Sequence, residues 1–142
     1  MTFTDIERIY LRRQPLGRLA SLNPDGAPQN HPVTYWLNGD TGTIDIGGPW
    51  LGSTQKFRNV SADPRVSFVV DDMAAPEESV GPDGQTGRGL EIRGRAEVFV
   101  AERPLMDGFT HEVIRIHPRR VVAWNLDGPG TNARDVTRER VG

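Results

Sequence analysis

The sequence contains no cysteine, so it can form neither a disulfide framework nor a thiolate metal site. Its three histidines are isolated and form no His-x-x-x-His pair, which argues against a metal centre. Seventeen basic and nineteen acidic residues give a formal charge of -2, and the absence of long basic runs disfavours nucleic-acid binding. No apolar run is long enough for a membrane span and the first residues lack a signal-peptide pattern, so we expect a cytoplasmic protein without membrane contact.

Several common catalytic signatures are also missing. The sequence has no Gly-x-Ser-x-Gly elbow, no Gly-x-Gly-x-x-Gly fingerprint and no Walker loop, so neither a serine hydrolase, a Rossmann domain nor a P-loop enzyme is indicated. At 142 residues the chain predicts a single domain, with any sizeable ligand lying on it or between two copies of it. The 16 glycines and 11 prolines lie mostly between strand-like runs, which is typical of a β-rich domain with many turns.

Periodicity predicts the order of the secondary structure. A capping box at Thr4 and Glu7 predicts a helix to about residue 13, with Ile6, Ile9 and Tyr10 on one face. Six strands are predicted at 16–22, 29–37, 43–46, 65–70, 88–100 and 120–126, with further helices at 53–62 and 103–116. Residues 71–87 are expected to form a mobile loop and residues 128–142 a tail that buries little. This order predicts a mainly β fold with short helices, an antiparallel barrel or sandwich of six or more strands.

Residues 47–60, here called the cradle, predict an anion-binding site. Its glycines would let the backbone approach a ligand, and Ser53 and Thr54 lie where a helix begins and free N–H groups favour a phosphate. Lys56 would add a mobile ammonium and Arg58 a planar fork for two phosphate oxygens. An equally supported alternative is that Ser53 is an ordinary helix cap and both cations lie on a solvated face.

The strand at 32–36 is the second candidate region. Its central residues could present backbone groups to a flat heterocycle, although an ordinary core strand is the simpler interpretation. His31 precedes this strand and ranks above His111 and His117 as a functional histidine. A planar ring with a phosphorylated tail could span this strand and the cradle.

Nine short segments occur in an order that is specific, although each is weak alone: 16–21, 23–26, 32–33, 43–48, 56–60, 63–66, 68–72, 91–97 and 116–126. Their order resembles the pyridoxamine 5'-phosphate oxidase-like split β-barrel family of flavin and deazaflavin proteins. The last two segments resemble the F420-dependent actinobacterial branch of that family. The resemblance covers nearly the whole chain.

The resemblance implies a homodimer with a deazaflavin in a groove at each subunit interface. It implies that eight residues bind the cofactor, the first three beside the ring and the others around the phosphate: Pro32, Val33, Thr34, Gly48, Ser53, Thr54, Lys56 and Arg58. Arg88 and Trp124 would complete the pocket from the partner chain. Relatives often carry another cation just before the position of Lys56, where this chain has Thr54 and Gln55. We therefore expect this chain to bind phosphate less tightly than those relatives.

The implied reaction is hydride transfer from reduced F420 to a conjugated, enone-like small molecule, with a polyketide as one candidate. No dedicated catalytic residue is predicted, and Tyr35, His31 or water could supply the proton. Two alternatives stay open: an FMN-binding oxidase or reductase, and a non-catalytic protein that binds a cofactor or heme.

Overall fold

Seven antiparallel strands form the frame of the structure, a computed structural model that describes residues 2–137. The strands are β1 (Gly17–Leu22), β2 (Pro28–Asn38), β3 (Thr43–Gly47), β4 (Arg65–Met73), β5 (Gly87–Val100), β6 (Glu112–Trp124) and β7 (Thr131–Asp135). The α-helices are α1 (Asp5–Arg13) and α2 (Gln55–Ala62), and short 3-10 turns lie at Leu51–Ser53, Pro76–Glu78 and Pro82–Gly84. The predicted mainly β fold with six or more antiparallel strands is confirmed.

The first six strands close into a barrel. They follow the order β3-β2-β1-β4-β5-β6, and β3 also pairs with β6 in a register that sets Ile44 opposite Ile116. Closure pairs both edges of the six-stranded sheet, and β7 extends it beyond β6. Alternate residues fill the barrel interior, among them the fully buried Phe68, Ile92 and Ile114. This closed core is the fixed frame on which the candidate site is built.

The capping box starts α1 as predicted. The Thr4 hydroxyl accepts a hydrogen bond from the Glu7 amide at 3.2 Å, and the Glu7 carboxylate accepts one from the Thr4 amide at 3.0 Å. The predicted end of the helix at residue 13 is also confirmed. None of the helices in the described part of the chain is both long and apolar enough to cross a membrane.

The predicted inner face of α1 is partly wrong. Tyr10 is buried, but Ile6 and Ile9 are 41% and 51% exposed. Glu7 and Leu11, four residues apart, face the barrel instead. The carboxylate of Glu7 is tolerated inside because an arginine of β7 donates to it. A pattern of apolar residues alone therefore selected the wrong side of the helix.

The helix predicted at 103–116 does not form. Residues 101–111 are a loop without helix or strand, and β6 begins at Glu112. Pro104 and Gly108 interrupt any helix, and β-branched Val113 and Ile114 favour a strand. The loop is instead available to cover the end of β3.

The strand predicted at 120–126 is the second half of β6, which continues through His117 and Pro118. A register shift in the facing strand, between Arg93 and Gly94, accommodates the proline. Gly94 is required there because a Cβ would lie 2.3 Å from the carbonyl oxygen of His117.

The loop predicted at 71–87 is shorter in the structure. β4 runs to Met73 and β5 begins at Gly87, so the connection comprises residues 74–86. Its mobility stays a prediction. Within the predicted tail, Thr131–Asp135 pairs with β6 as β7, and four of its five residues are exposed. The last part of that tail, residues 138–142, lies outside the described residues.

Candidate functional site

The cradle begins where β3 ends and continues through a tight turn into α2. Gly47 closes β3, and Thr34 of β2 pairs directly with it. Trp50 follows in a left-handed conformation, with φ 52°, and its side chain is 74% exposed. Such a backbone is uncommon for a bulky residue and persists only where its surroundings hold it. The cradle and the predicted ring-binding strand therefore lie side by side.

The loop at 101–111 holds this turn in place. The Thr110 amide donates to the carbonyl oxygen of Gly48 at 3.2 Å, and the Thr110 hydroxyl accepts from the Leu51 amide at 3.1 Å. Phe109 packs over Gly47, where a Cβ would lie 3.0 Å from its ring. Thr110 lies in the segment whose spacing predicts a helix, so its contacts with the cradle were not predicted.

Most amides of the cradle bond within the protein. The amides of Ser53 and Thr54 donate to the carbonyl oxygens of Trp50 and Leu51, at 2.9 and 3.0 Å. The cap of α2 is Thr54, whose hydroxyl accepts from the Phe57 amide at 3.3 Å. The alternative that placed the cap at Ser53 is therefore wrong.

Two amides at the start of α2 stay available. The Gln55 and Lys56 amides have no hydrogen-bond acceptor among residues 2–137. They belong to the first turn of the helix, where N–H groups lack intrahelical partners and the dipole favours an anion.

The two cations of the cradle differ in their surroundings. The Arg58 guanidinium donates to the Ser53 carbonyl oxygen at 2.9 Å and to Gln55 Oε1 at 2.8 Å, and the side chain is exposed. Lys56 is partly buried and, within the described residues, has no hydrogen bond or ion pair. Burial lowers the pKa of its ammonium group. Lys56 is therefore a desolvated cation without an internal counter-charge.

Gly52 serves a different purpose from the one predicted. It lets the carboxylate of Glu112 approach the backbone, because a Cβ at Gly52 would lie 2.7 Å from Glu112 Oε1. Hydrogen bonds from Thr110 and from backbone amides hold the pKa of Glu112 below its usual range. The other carboxylate oxygen, Oε2, is buried without a partner among the described residues. This anion adjoins the 3-10 turn, so an external anion is better placed toward the start of α2.

The strand at 32–36 alternates between the core and the outer face. Val33 is 5% exposed and packs in the barrel core, so it can offer only its backbone to a ligand. Pro32 and Thr34 lie on the opposite face and are accessible.

Tyr35 is buried, and its hydroxyl donates to the Leu11 carbonyl oxygen at 2.6 Å. Burial raises the pKa of Tyr35, so its position does not suit a proton donor to an external ligand. His31 is exposed, and it lies on the same face of β2 as Gln29 and Val33, toward the start of the strand.

Arg88 and Trp124 have no hydrogen bond or ion pair with the cradle among residues 2–137. The Arg88 guanidinium donates to both carboxylate oxygens of Asp72, at 2.8 and 3.1 Å. Pro64, which follows α2, accepts from the Ala96 amide, eight residues along β5 from Arg88. At about 3.4 Å per residue, Arg88 therefore lies roughly 27 Å along β5 from the end of α2. Among residues 2–137, no group of three or more histidines, aspartates and glutamates could hold a metal ion.

Comparison with known proteins relates the chain to redox enzymes. A family model described as pyridoxamine 5'-phosphate oxidase matches residues 4–138. A curated relative is the 5a,11a-dehydrotetracycline/5a,11a-dehydrooxytetracycline reductase of Streptomyces rimosus subsp. rimosus. It is 41% identical over 143 residues, covering 98% of this chain and 96% of the relative.

Two solved structures share the fold. One is described as an F420 reductase, with a TM-score of 0.59 and 22% identity over 84% of this chain and 98% of its own. The other is a heme binding protein from Mycobacterium smegmatis, with a TM-score of 0.67 and 18% identity over 94% of this chain and 58% of its own. Identities this low show the shared fold alone.

Proposed function

This chain belongs to the pyridoxamine 5'-phosphate oxidase family and is an oxidoreductase, and we propose that it transfers a hydride from reduced F420 to a conjugated, enone-like small molecule. The family predicted from the order of short motifs is confirmed. Reduced F420 would supply the hydride, while the protein would bind and orient the reactants and exclude water.

Lys56 carries the proposal. It is the only lysine in the sequence, and it is a partly buried cation for which residues 2–137 provide no counter-charge. The available amides of Gln55 and Lys56 lie at the start of the same helix. A phosphate bound there would satisfy three donors and the ammonium charge together. Arg58 is already bonded to Ser53 and Gln55, so we assign the phosphate to Lys56 and the two amides.

The exposed part of β2 fits the remainder of such a ligand. From Gln29, which α2 contacts, to Thr34, which pairs with the end of β3, the strand spans roughly 17 Å. Pro32 and Thr34 present side chains there, and Val33 offers its backbone. A planar ring with a phosphorylated tail is of a suitable length for this surface, which agrees with either F420 or FMN.

The nature of the substrate is argued from the relative. The printed name of the 41% identical enzyme describes reduction of dehydrotetracyclines, which are polycyclic and conjugated. We extend the class to this chain: the substrate's carbon–carbon double bond gains a hydride and a proton, and F420 is oxidised. Since Tyr35 is buried, water or His31 supplies the proton.

We propose that the working form is a homodimer. Arg88 and Trp124 make no hydrogen bond or ion pair with the cradle of their own chain among residues 2–137, and we assign them to the site of the partner chain. Among residues 2–137, seven large apolar side chains are exposed and available to such an interface: Ile6, Ile9, Leu16, Trp50, Met73, Val100 and Met106. Sedimentation analysis would test this, and a monomer that binds F420 and turns over substrate would contradict it.

The cofactor is tested by titration. Purified protein is titrated with F420 and with FMN while fluorescence is followed, and reduced F420 is then offered with a panel of enones. We expect F420 to bind and its oxidation to depend on the enone. Tight binding of FMN without a response to F420 would favour the FMN-dependent alternative. F420 binding without turnover of any enone would favour a carrier.

A further inference from the structure

Five side chains form a continuous hydrogen-bonded series, here called the amide chain, from the cradle to β2. Arg58 Nη2 lies 2.8 Å from Gln55 Oε1, and Gln55 Nε2 lies 2.8 Å from Asn59 Oδ1. Asn59 Nδ2 lies 3.2 Å from Gln29 Oε1, and Gln29 Nε2 lies 2.9 Å from His31 Nδ1. The series connects Arg58 of the cradle to His31 of β2, next to the residues proposed to bind the ring.

The direction of every bond in the amide chain follows from its first member. A guanidinium can only donate, so Gln55 must present its oxygen to Arg58 and its NH2 group to Asn59. The same alternation then orients the amides of Asn59 and Gln29. Gln29 therefore donates to His31, whose Nδ1 must accept. In the neutral imidazole the proton then lies on Nε2.

The middle of the amide chain is held firmly. Asn59 is 2% exposed, and its Nδ2 also lies 3.1 Å from Ser21 Oγ and 3.0 Å from Asn23 Oδ1, so its two hydrogens are shared among three oxygens. Turning the Asn59 amide over would bring its oxygen against other oxygens unless those groups also turned. The buried Asn59 amide in α2 therefore fixes the orientation of the Gln29 amide in β2.

We propose that the amide chain fixes His31 as the Nε2–H tautomer and presents that N–H as a hydrogen-bond donor to an acceptor oxygen of the bound cofactor or substrate. His31 is exposed, and its Nε2 has no partner among residues 2–137. Gln29, Gln55 and Asn59 are positioning residues for this donor. The tautomer stands on the contacts alone, whereas the identity of the ligand rests on the proposed function.

Nitrogen NMR of the imidazoles tests the tautomer directly. Spectra are recorded at a pH where His31 is neutral, and we expect its Nε2 to carry the proton and its Nδ1 to carry none. His111 is an internal reference of the opposite kind, since its Nδ1 lies 3.0 Å from the Ala101 carbonyl oxygen and must donate. A His31 that carries its proton on Nδ1 in the parent protein would overturn the proposal.

A single substitution should reverse the amide chain. In Gln55→Glu the new carboxylate can accept from Arg58 but cannot donate to Asn59, so Asn59 and Gln29 turn over. The Asn23 amide turns with them and the Ser21 hydroxyl donates to Asn59, so His31 must donate through Nδ1. An acidic residue in the first turn of α2 is compatible with the helix dipole, so we expect the fold to persist. Gln85→Glu makes the same change of charge in the loop at 74–86 and should leave the tautomer unchanged. An unaltered His31 tautomer in Gln55→Glu would contradict the mechanism.

The hydrogen bond from His31 to the ligand is tested separately, by the affinity for F420. His31→Ala should weaken F420 binding about 2- to 10-fold, the effect of one hydrogen bond, whereas the exposed neighbour Asn30→Ala should not. Equal affinity of His31→Ala and parent would overturn the donor role and leave the tautomer standing. A parent protein that does not bind F420 would overturn the proposed function and this donor role together, and the NMR result would still decide the tautomer.

Discussion

Lys56→Met provides the most direct test of the site, because it should change affinity and stability in opposite directions. The methionine keeps most of the side-chain length and removes the charge. Lys56 has no counter-charge within the described residues, so its ammonium gains little in the free protein and loses hydration. A bound phosphate would reverse that balance by supplying the missing charge.

The expected loss of affinity follows from the loss of one charge-assisted hydrogen bond. Such a bond contributes about 1.5–3 kcal/mol, which corresponds to a rise in Kd of roughly 10- to 150-fold. Fluorescence titration with F420 would measure it. Arg65→Met is a matched control, since it removes a fully exposed cation that is already paired with Asp63 just beyond α2, and its Kd should stay near that of the parent.

Without ligand, Lys56→Met should be at least as stable as the parent protein. The lowered pKa of Lys56 means that the unfolded chain holds this proton more tightly than the folded one. The charged lysine therefore costs stability at neutral pH, and that cost disappears as the pH rises toward the unfolded pKa. Lys56→Met should accordingly melt at the same or a higher temperature than the parent. A variant that binds F420 as tightly as the parent would refute the phosphate assignment.

Three further changes test the frame of the site. Thr110→Val removes the acceptor of the Leu51 amide, so unfolding in urea should cost about 1–3 kcal/mol less and F420 affinity should fall; unchanged affinity would separate the 101–111 loop from the site. Tyr35→Phe should lower the free energy of unfolding by about 1 kcal/mol and leave kcat unchanged, whereas a large fall in kcat would restore Tyr35 as proton donor. Arg88 lowers the pKa of Asp72, so the stability that this carboxylate contributes is present above its unfolded pKa and is lost as the pH falls through its folded pKa. Thermal melts at acidic and neutral pH should therefore differ less for Asp72→Asn than for the parent, and equal differences would exclude this pair as a source of acid sensitivity.

Local patterns were sufficient for much of the fold. The capping box at Thr4 and Glu7, and the alternating strands before and after the cradle, depend on neighbours within a few residues, so they could be predicted directly. The segment 103–116 could not be predicted in the same way. Its apolar residues fit a helical spacing, but Val113 and Ile114 are buried because β3 and β5 flank β6 in the closed barrel. Burial by distant strands decided between two local interpretations.

In the candidate site, too, some features could be predicted from the local sequence and others depend on tertiary contacts. The pattern of residues 47–60 determined a glycine turn followed by a helix that carries Lys56 and Arg58. Only the tertiary structure decided that Gly52 accommodates Glu112 and that Thr54, rather than Ser53, caps the helix. Both outcomes depend on contacts with the ends of strands and loops far along the chain.

The sequence by itself determined the family, the order of the barrel strands before the cradle and the residues that carry charge in the cradle. The tertiary structure decided which of those charges are already paired: among residues 2–137 Lys56 has no counter-charge, and Arg58 is bonded to Ser53 and Gln55. It also connected Arg58 to His31 through Gln55, Asn59 and Gln29, although the two ends lie 27 residues apart in sequence. The physical reason is that spacing along a chain specifies local backbone geometry, whereas hydrogen-bond direction and desolvation depend on what the closed barrel brings within about 3 Å.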